Sequence, residues 1–178
     1  WVRPGFYKEN IQVPAQTSIR GILGPAGQKP LLVPDNPALP VISAGAQVGA
    51  GTLLSNLRIS NGRAARGAGI LLQRGSMPRI QDCDITKNRG EEGAGIFIMG
   101  PGGTEIERCL IADNEASVNG GGIFIDNLQT MTWLRDNTIL RNHAGNGGGG
   151  VFGDGHLYGL EDNQLMLNTA RYGAGLYQ

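Results

Sequence analysis

Residues 85–98 of this chain read ITKNRGEEGAGIFI, and the same pattern occurs five times between Leu53 and Gln178. Each copy begins with an aliphatic residue, two variable residues and usually an asparagine. It continues with a glycine-rich stretch and an aliphatic run. The other four copies read ISNGRAARGAGILL from residue 59, IADNEASVNGGGIFI from residue 111, ILRNHAGNGGGGVFG from residue 139 and LMLNTARYGAGLY from residue 165. Self-similarity at a fixed period indicates that the chain is built from copies of one structural unit.

The length of the repeat predicts the fold. The asparagine position recurs every 26 residues, or 28 in one case, at Gly62, Asn88, Asn114, Asn142 and Asn168. A period in this range with strand-like segments is typical of a solenoid, in which each repeat forms one turn of a coil. We assign three such segments to the third repeat, at residues 105–107, 109–111 and 122–125, and none has a helical period. The sequence therefore predicts an all-β chain that folds as a right-handed parallel β-helix of about six to seven turns.

The first 50 residues do not follow the repeat closely, and seven prolines interrupt them. We predict that residues 1–50 form one or two irregular turns that cap the coil, because a solenoid needs an atypical end to protect its strand edges. Residues 51–178 are then five regular turns of about 26 residues each. The chain begins at Trp1 and stops within a repeat at Gln178, so we expect it to be a segment of a longer protein.

Two columns of aligned residues have a structural interpretation. Asparagine at the turn tolerates left-handed backbone, and its amide can bond the same group one turn away. These residues are Asn88, Asn114, Asn142 and Asn168. Glycine suits positions of positive φ, or positions where a Cβ would clash. These residues are Gly69, Gly95, Gly122, Gly150 and Gly175.

The two cysteines, Cys83 and Cys109, lie one repeat apart at equivalent positions and should stack on neighbouring turns. Stacked strands place Cα atoms about 4.8 Å apart, within the range that a disulfide spans. However, parallel strands in register point both Cβ atoms the same way, which fits the S–S dihedral poorly. We therefore favour two buried free thiols over a disulfide or a metal-binding pair.

The charge balance limits the range of partners. The chain has 15 Lys and Arg and 15 Asp and Glu in 178 residues. A neutral chain has no overall field that attracts nucleic acid or an anionic membrane. No apolar run approaches the roughly 20 residues of a membrane-spanning helix. We expect neither nucleic acid binding nor a membrane span.

The repeat resembles those of polymorphic outer-membrane proteins and of related right-handed parallel β-helix proteins with the pectin-lyase-like fold. The resemblance rests on Ile85–Asn88 with Gly95 and Ile96, Ile111–Asn114 with Gly121–Ile123, Ile139–Asn142 with Gly149–Val151, and Leu165–Asn168 with Gly175 and Leu176. It implies an extracellular or cell-envelope location. It implies no particular activity, because this fold carries lyases, hydrolases, epimerases, adhesins and passive stalks.

One aligned column is a candidate for chemistry. Asp126 and Asp154 should stack about 5 Å apart with like charge, and His156 lies two residues further on. Such a pair raises one pKa or recruits a cation, so these three residues are candidates for acid–base catalysis and the two aspartates for a Ca²⁺ site. The alternative is two solvated carboxylates that splay apart. We expect no cofactor other than this calcium ion.

The strand after the glycines has two apolar faces, and these predict a contact surface. Aliphatic residues alternate with a second set, which is Leu71, Phe97, Phe124, Phe152 and Tyr177. Whichever set fills the core, the other forms an outer stripe of several hundred Å², the size of an interaction site. We call Phe97, Phe124, Phe152 and Tyr177 the aromatic stripe. Either a partner chain covers it or a segment of this chain does, for instance the proline-rich first 50 residues.

A glycan site is a further candidate. Trp133 aligns with Gly159 on the next turn, which would leave one face of the indole open for a sugar. The alternative is an indole packed on its own turn.

These observations predict a non-catalytic extracellular or cell-envelope module. It would act as a rigid scaffold that docks another protein chain or domain through the aromatic stripe. The alternative is a carbohydrate-active β-helix, of lyase, hydrolase or glycan-binding type, that uses Asp126, Asp154, His156 and Trp133.

Overall fold

A computed structural model describes residues 1–100, 103–126, 131–154 and 158–178. Within these ranges every regular element is a short β-strand. None of the described residues belongs to a helix with the length and apolar character needed to cross a membrane. Each strand pairs in parallel with the equivalent strand one turn earlier or later, which confirms the predicted all-β solenoid.

In the described part of the chain, the coil has six turns and part of a seventh. The first three turns contain β1 (Phe6–Lys8), β2 (Ile11–Val13), β3 (Ile19–Arg20), β4 (Leu31–Val33), β5 (Ile42–Ala44), β6 (Leu53–Ser55), β7 (Arg58–Ser60), β8 (Ile70–Leu72) and β9 (Arg79–Gln81). The fourth and fifth contain β10 (Asp84–Thr86), β11 (Arg89–Glu92), β12 (Ile96–Met99), β13 (Glu105–Glu107), β14 (Leu110–Ala112), β15 (Glu115–Asn119), β16 (Ile123–Asp126) and β17 (Thr132–Arg135). The remainder contains β18 (Thr138–Leu140), β19 (His143–Ala144), β20 (Val151–Asp154), β21 (Tyr158–Glu161), β22 (Gln164–Met166) and β23 (Leu176–Tyr177). The predicted number of turns is confirmed.

The described strands form four parallel sheets that run along the coil. Sheet 1 is β1-β4-β7-β10-β14-β18-β22, sheet 2 is β2-β5-β8-β12-β16-β20-β23, sheet 3 is β3-β6-β9-β13-β17-β21 and sheet 4 is β11-β15-β19. Strands β1 to β5 lie within the first 50 residues and form part of sheets 1, 2 and 3. Sheet 4 was not expected, because its strands carry polar residues such as RGEE at 89–92 and lack the apolar alternation that marks a strand.

The core lies inside the coil and is built from one or two inward residues per short strand. Ile85 and Ile111 pair across sheet 1, and Ile80 and Ile106 pair across sheet 3; all four are fully buried. Fully burying an isoleucine side chain contributes roughly 1.5–3 kcal/mol. Because each strand is only two to five residues long, this repeated burial between turns holds the solenoid together.

The asparagine column forms a buried ladder. The Nδ2 of Asn88 donates to Oδ1 of Asn114 at 3.0 Å, and Nδ2 of Asn142 donates to Oδ1 of Asn168 at 3.1 Å. Left-handed backbone belongs instead to the preceding residues, for example Lys87 with φ 58°. The prediction that the asparagines themselves are left-handed is therefore wrong. The reversal occurs one residue earlier, while the asparagine side chain is buried and bonds the next turn.

The glycine column is explained by close packing. A Cβ on Gly95 would lie 2.4 Å from the carbonyl oxygen of Gly122, and one on Gly122 would lie 2.5 Å from that of Gly150. Positive φ falls two residues earlier in the repeat, as at Gly93 with φ 54°. Of the two reasons considered for these glycines, tight packing is the one that applies.

Cys83 and Cys109 are buried free thiols, as predicted. Their Sγ atoms lie 3.2 and 3.3 Å from the carbonyl oxygens of Gln81 and Glu107, respectively. The same column continues on the next turn as Asn137, whose Oδ1 accepts a hydrogen bond of 2.9 Å from the Cys109 amide. This column of aligned residues is therefore apolar at the two cysteines and becomes a second asparagine ladder from Asn137 onwards.

Candidate functional site

The rings of the aromatic stripe stack along the coil axis. Phe97 and Phe124 have ring centroids 4.8 Å apart, and Phe124 and Phe152 are separated by the same distance. Tyr177 extends the stack at 5.1 Å from Phe152. The aliphatic residues of the same strands, such as Ile123, fill the core. The stripe thus lies on the outer side of sheet 2, as the alternation predicts.

The stripe is not an open surface along most of its length. Phe97 is 2 % exposed and Phe124 is 6 % exposed, Phe152 is half-buried, and Tyr177 is 40 % exposed. The expectation of an uncovered contact surface is therefore wrong for Phe97 and Phe124. These two rings are already shielded within the chain itself.

Part of the cover comes from the glycine-rich segments that precede β8, β12, β16, β20 and β23 of sheet 2. A Cβ on Gly147 would lie 3.1 Å from ring atoms of Phe152, so this segment runs directly against the ring. The guanidinium of Arg66 lies over Phe97 at 5.5 Å from the ring centroid and is held by Glu92 at 2.9 Å. Self-cover thus describes Phe97 and Phe124, and the covering segments belong to the repeats themselves. The sequence signal for this cover is the stretch that each repeat carries between its asparagine and its aliphatic run.

Asp126 and Asp154 lie side by side as predicted. They are register partners in β16 and β20; Asp126 is half-buried and Asp154 is exposed. His156 lies outside the described residues. Within the described ranges, no three His, Cys, Asp or Glu side chains come together as a group that could hold a metal ion. The acid–base and calcium hypotheses for these residues stay predictions.

Trp133 is packed rather than open beside Gly159. The two are register partners, and a Cβ on Gly159 would lie 2.2 Å from Cε3 of the indole. The guanidinium of Arg135 lies over the same ring at 4.4 Å from the centroid. The expectation that the glycine leaves a face of the indole free is wrong, because the ring itself fills that space.

Charged residues on sheet 3 and its following turn pair between turns. Arg79 binds Glu105 at 3.0 Å, and Arg135 binds Glu161 at 2.9 Å. On the turn, Arg108 binds Asp82 at 3.0 Å and also contacts Glu107. These side chains are 24 to 57 % exposed, so each pair contributes less than about 1 kcal/mol. Apart from the contact between the adjacent residues Arg108 and Glu107, these ion pairs join neighbouring turns.

Comparison with known proteins gives a family. A family model described as a right handed beta helix region matches residues 42–169, which is well over half of the chain. No curated protein and no solved structure matches the chain. The matched range runs from β5 to beyond β22 and includes the asparagine ladder and most of the aromatic stripe.

Proposed function

The chain belongs to the right-handed β-helix family, and we propose that it uses this fold as a non-catalytic structural module. It acts as a rigid scaffold in the extracellular space or the cell envelope. The proposed location is supported by the resemblance of its repeats to those of polymorphic outer-membrane proteins. The scaffold role follows from how its side chains are used.

The observation that carries the proposal is the use of aromatic, amide and charged columns to join successive turns. Phe124 stacks on the rings of both neighbouring turns, at 4.8 Å in each case. Asn142 bonds asparagines on the turns before and after it. In a solenoid, where each turn contacts only its neighbours, such columns determine how strongly the rod resists bending and fraying.

The more specific part of the proposal is that a partner docks on the aromatic stripe. With Phe97 and Phe124 buried, a partner chain would contact the stripe at Tyr177 and at the half-buried Phe152.

Single-molecule force unfolding tests the scaffold role. The chain is placed between two well-characterised domains, and Asn142→Ala is compared with Asn146→Ala as the control. The wild type and the control should unfold in clear force peaks, and Asn142→Ala should lower the peak force. A wild-type chain that extends without a peak, as a flexible linker does, would overturn the proposal.

A second candidate function rests on the adjacent carboxylates of Asp126 and Asp154. Two acids on neighbouring strands suit acid–base work on a polysaccharide, with or without calcium. The test is the release of reducing or unsaturated ends from acidic and neutral polysaccharides by the wild type, Asp126→Asn and Asp154→Asn. Turnover by the wild type that either variant loses would replace the scaffold proposal with an enzyme. No turnover, with or without added calcium, would remove this second candidate.

A further inference from the structure

A surface groove of about 430 Å³ lies on the turn that follows sheet 1, away from the aromatic stripe and from sheet 3. Its described lining residues are Asn61, Gly62, Arg63, Lys87, Arg89 and Asp113. They come from three successive turns of the coil, so equivalent side chains lie side by side about 4.8 Å apart. Neither the scaffold role nor the carboxylate pair uses these residues.

The groove has two cations that lack an ion-pair partner among the described residues. Neither Arg63 nor Lys87 forms an ion pair with another described residue, and both are exposed. Arg89, by contrast, binds Glu115 at 3.1 Å. The groove therefore offers two cationic groups to a ligand.

The carboxylate in the groove is already neutralised from outside it. Asp113 accepts hydrogen bonds of 2.7 and 2.9 Å from Arg141, one turn away. These bonds are the main cause of the lowered pKa of Asp113, and the charges of Arg141 and Lys87 add to the effect. Asp113 thus gives its hydrogen bonds to Arg141 and offsets the charge of Lys87 only through space.

An adjoining groove of about 400 Å³ extends the same surface across sheet 1. It shares Asn61, Lys87 and Asp113 with the first groove and adds Arg58 and Asp84. Here too the carboxylate is engaged, because Lys29 binds Asp84 at 2.6 Å. On a chain with no net charge, this surface is locally positive.

The backbone holds the cationic side in place. Lys87 has φ 58°, and this left-handed residue reverses the chain so that Asn88 is buried in the ladder while Lys87 stays exposed. Asn61 occupies the equivalent position one turn earlier, with φ 62°. The side chains of the groove therefore start from backbone fixed by the buried asparagine ladder, which lowers the entropy lost when they bind a ligand.

We propose that this groove binds the phosphate monoester group of a small polar molecule, with Arg63 and Lys87 as the charged ligands. Two unpaired cations match the charge of about −1.5 to −2 that a phosphate monoester carries at neutral pH. Arginine offers a planar fork of donors that fits phosphate oxygens, and the amide of Asn61 can bond hydroxyl groups beside the phosphate. A groove of this volume accommodates a small organic molecule as well as the phosphate.

Single-stranded nucleic acid is a different occupant that the groove fits less well. Proteins bind it through aromatic side chains on which bases stack. Among the described lining residues of the two grooves there is no aromatic side chain. The phosphate of a small polar molecule is therefore the occupant that the lining favours.

Calorimetry and ligand-observed NMR at low salt test the proposal with glucose 6-phosphate, inorganic phosphate, inorganic sulfate and acetate. The organic phosphate should bind saturably in the millimolar range or tighter, and acetate should bind at least tenfold more weakly. Binding of inorganic phosphate shows whether the phosphate group alone is enough for recognition. Weaker binding of glucose 6-phosphate than of inorganic phosphate would contradict the proposed contact between Asn61 and the hydroxyl groups. Equal binding of all four anions, or no saturable binding of either phosphate, overturns the proposal.

Exposed-residue variants locate the site. Arg63→Gln and Lys87→Gln should each weaken glucose 6-phosphate binding at least fivefold, while Arg74→Gln, an exposed arginine outside the groove, should leave it unchanged. Asp113→Asn releases Arg141 towards the ligand and should strengthen binding. Thermal melting of each variant shows that it is folded. A loss of affinity in Arg74→Gln equal to that in Arg63→Gln, or no loss in either groove variant, would contradict the assignment.

Discussion

The side-chain Nδ2 of Asn114 donates a 2.9 Å hydrogen bond to Oδ1 of Asn142, one turn further along the coil. The same Oδ1 accepts the backbone N–H of Asn114 at 3.0 Å, and Nδ2 of Asn142 donates to the carbonyl oxygen of Ile111 at 2.8 Å. Both asparagines are buried. Each side chain thus satisfies several polar groups that water cannot reach.

Replacing Asn142 with alanine should therefore destabilise the chain by about 3 kcal/mol, because buried donors and acceptors on both neighbouring turns lose their partner. Asn146→Ala is the matched control. It also removes an amide bonded to an asparagine one turn away, but that pair is exposed, and we expect less than about 1 kcal/mol. Urea unfolding followed by tryptophan fluorescence measures both. Equal effects of the two substitutions would show that the ladder adds no more than a surface hydrogen bond.

Gly95→Ala should destabilise the chain by more than about 2 kcal/mol, because its Cβ would meet the backbone oxygen of Gly122 at 2.4 Å and the turns would have to separate. The control is Gly51→Ala, where no atom lies within 4 Å of the added Cβ. That change should be neutral or slightly stabilising, since alanine restricts the unfolded chain. Thermal unfolding of both variants decides the matter, and a tolerated Gly95→Ala would mean that the turns can separate at little cost.

The sequence carries enough information to predict the coil, because an inward aliphatic residue and a buried asparagine must recur once per turn. Ile85, Ile111 and Asn114 lie where the alignment of repeats puts them. The local backbone is less well specified. The left-handed residue precedes each asparagine of the ladder, and it is a lysine, an aspartate, an arginine or a leucine, so residue type gives no sign of it.

The candidate site was harder to predict for a different reason. Alternation along a strand shows that Phe97 and Ile96 point to opposite sides, but it does not show whether another segment covers the outer side. The covering segment is polar and glycine-rich and resembles a loop. Arg63 and Lys87 lie at variable positions of two different repeats, so only the folded coil shows that they line one groove.

Phe124→Ala should cost about 3–5 kcal/mol in stability, because it removes a buried ring between two others. Tyr177→Ala should cost about 1 kcal/mol or less, since its ring is 40 % exposed and stacks on one neighbour. Chemical unfolding gives both values, and light scattering after size exclusion reports the oligomeric state. Phe124→Asp should unfold the chain. A folded Phe124→Asp variant that loses a partner bound by the wild type would show instead that the ring faces an interface.

Stability should fall with rising pH in the alkaline range because of Cys109. Burial raises the pKa of this thiol well above its ordinary value of about 9.0, and a contact with Cys83 adds to the shift. Below the ordinary value the thiol is neutral in both folded and unfolded chains, and its contribution is fully present. As pH rises past that value, the unfolded thiol ionises while the folded one stays protonated. Ionisation therefore stabilises the unfolded state relative to the folded state. The loss should approach about 1.4 kcal/mol per pH unit.

The measurement is the free energy of unfolding at pH 7, 8, 9 and 10 for the wild type and for Cys109→Ala, under reducing conditions. The variant should be less stable at pH 7, because it leaves a small cavity, but its curve should be flatter above pH 9. The difference between the two curves isolates this thiol from lysines and tyrosines that titrate in the same range. Parallel curves would mean that Cys109 ionises as easily in the folded coil as in the unfolded chain, and the buried position assigned to it would then be incorrect.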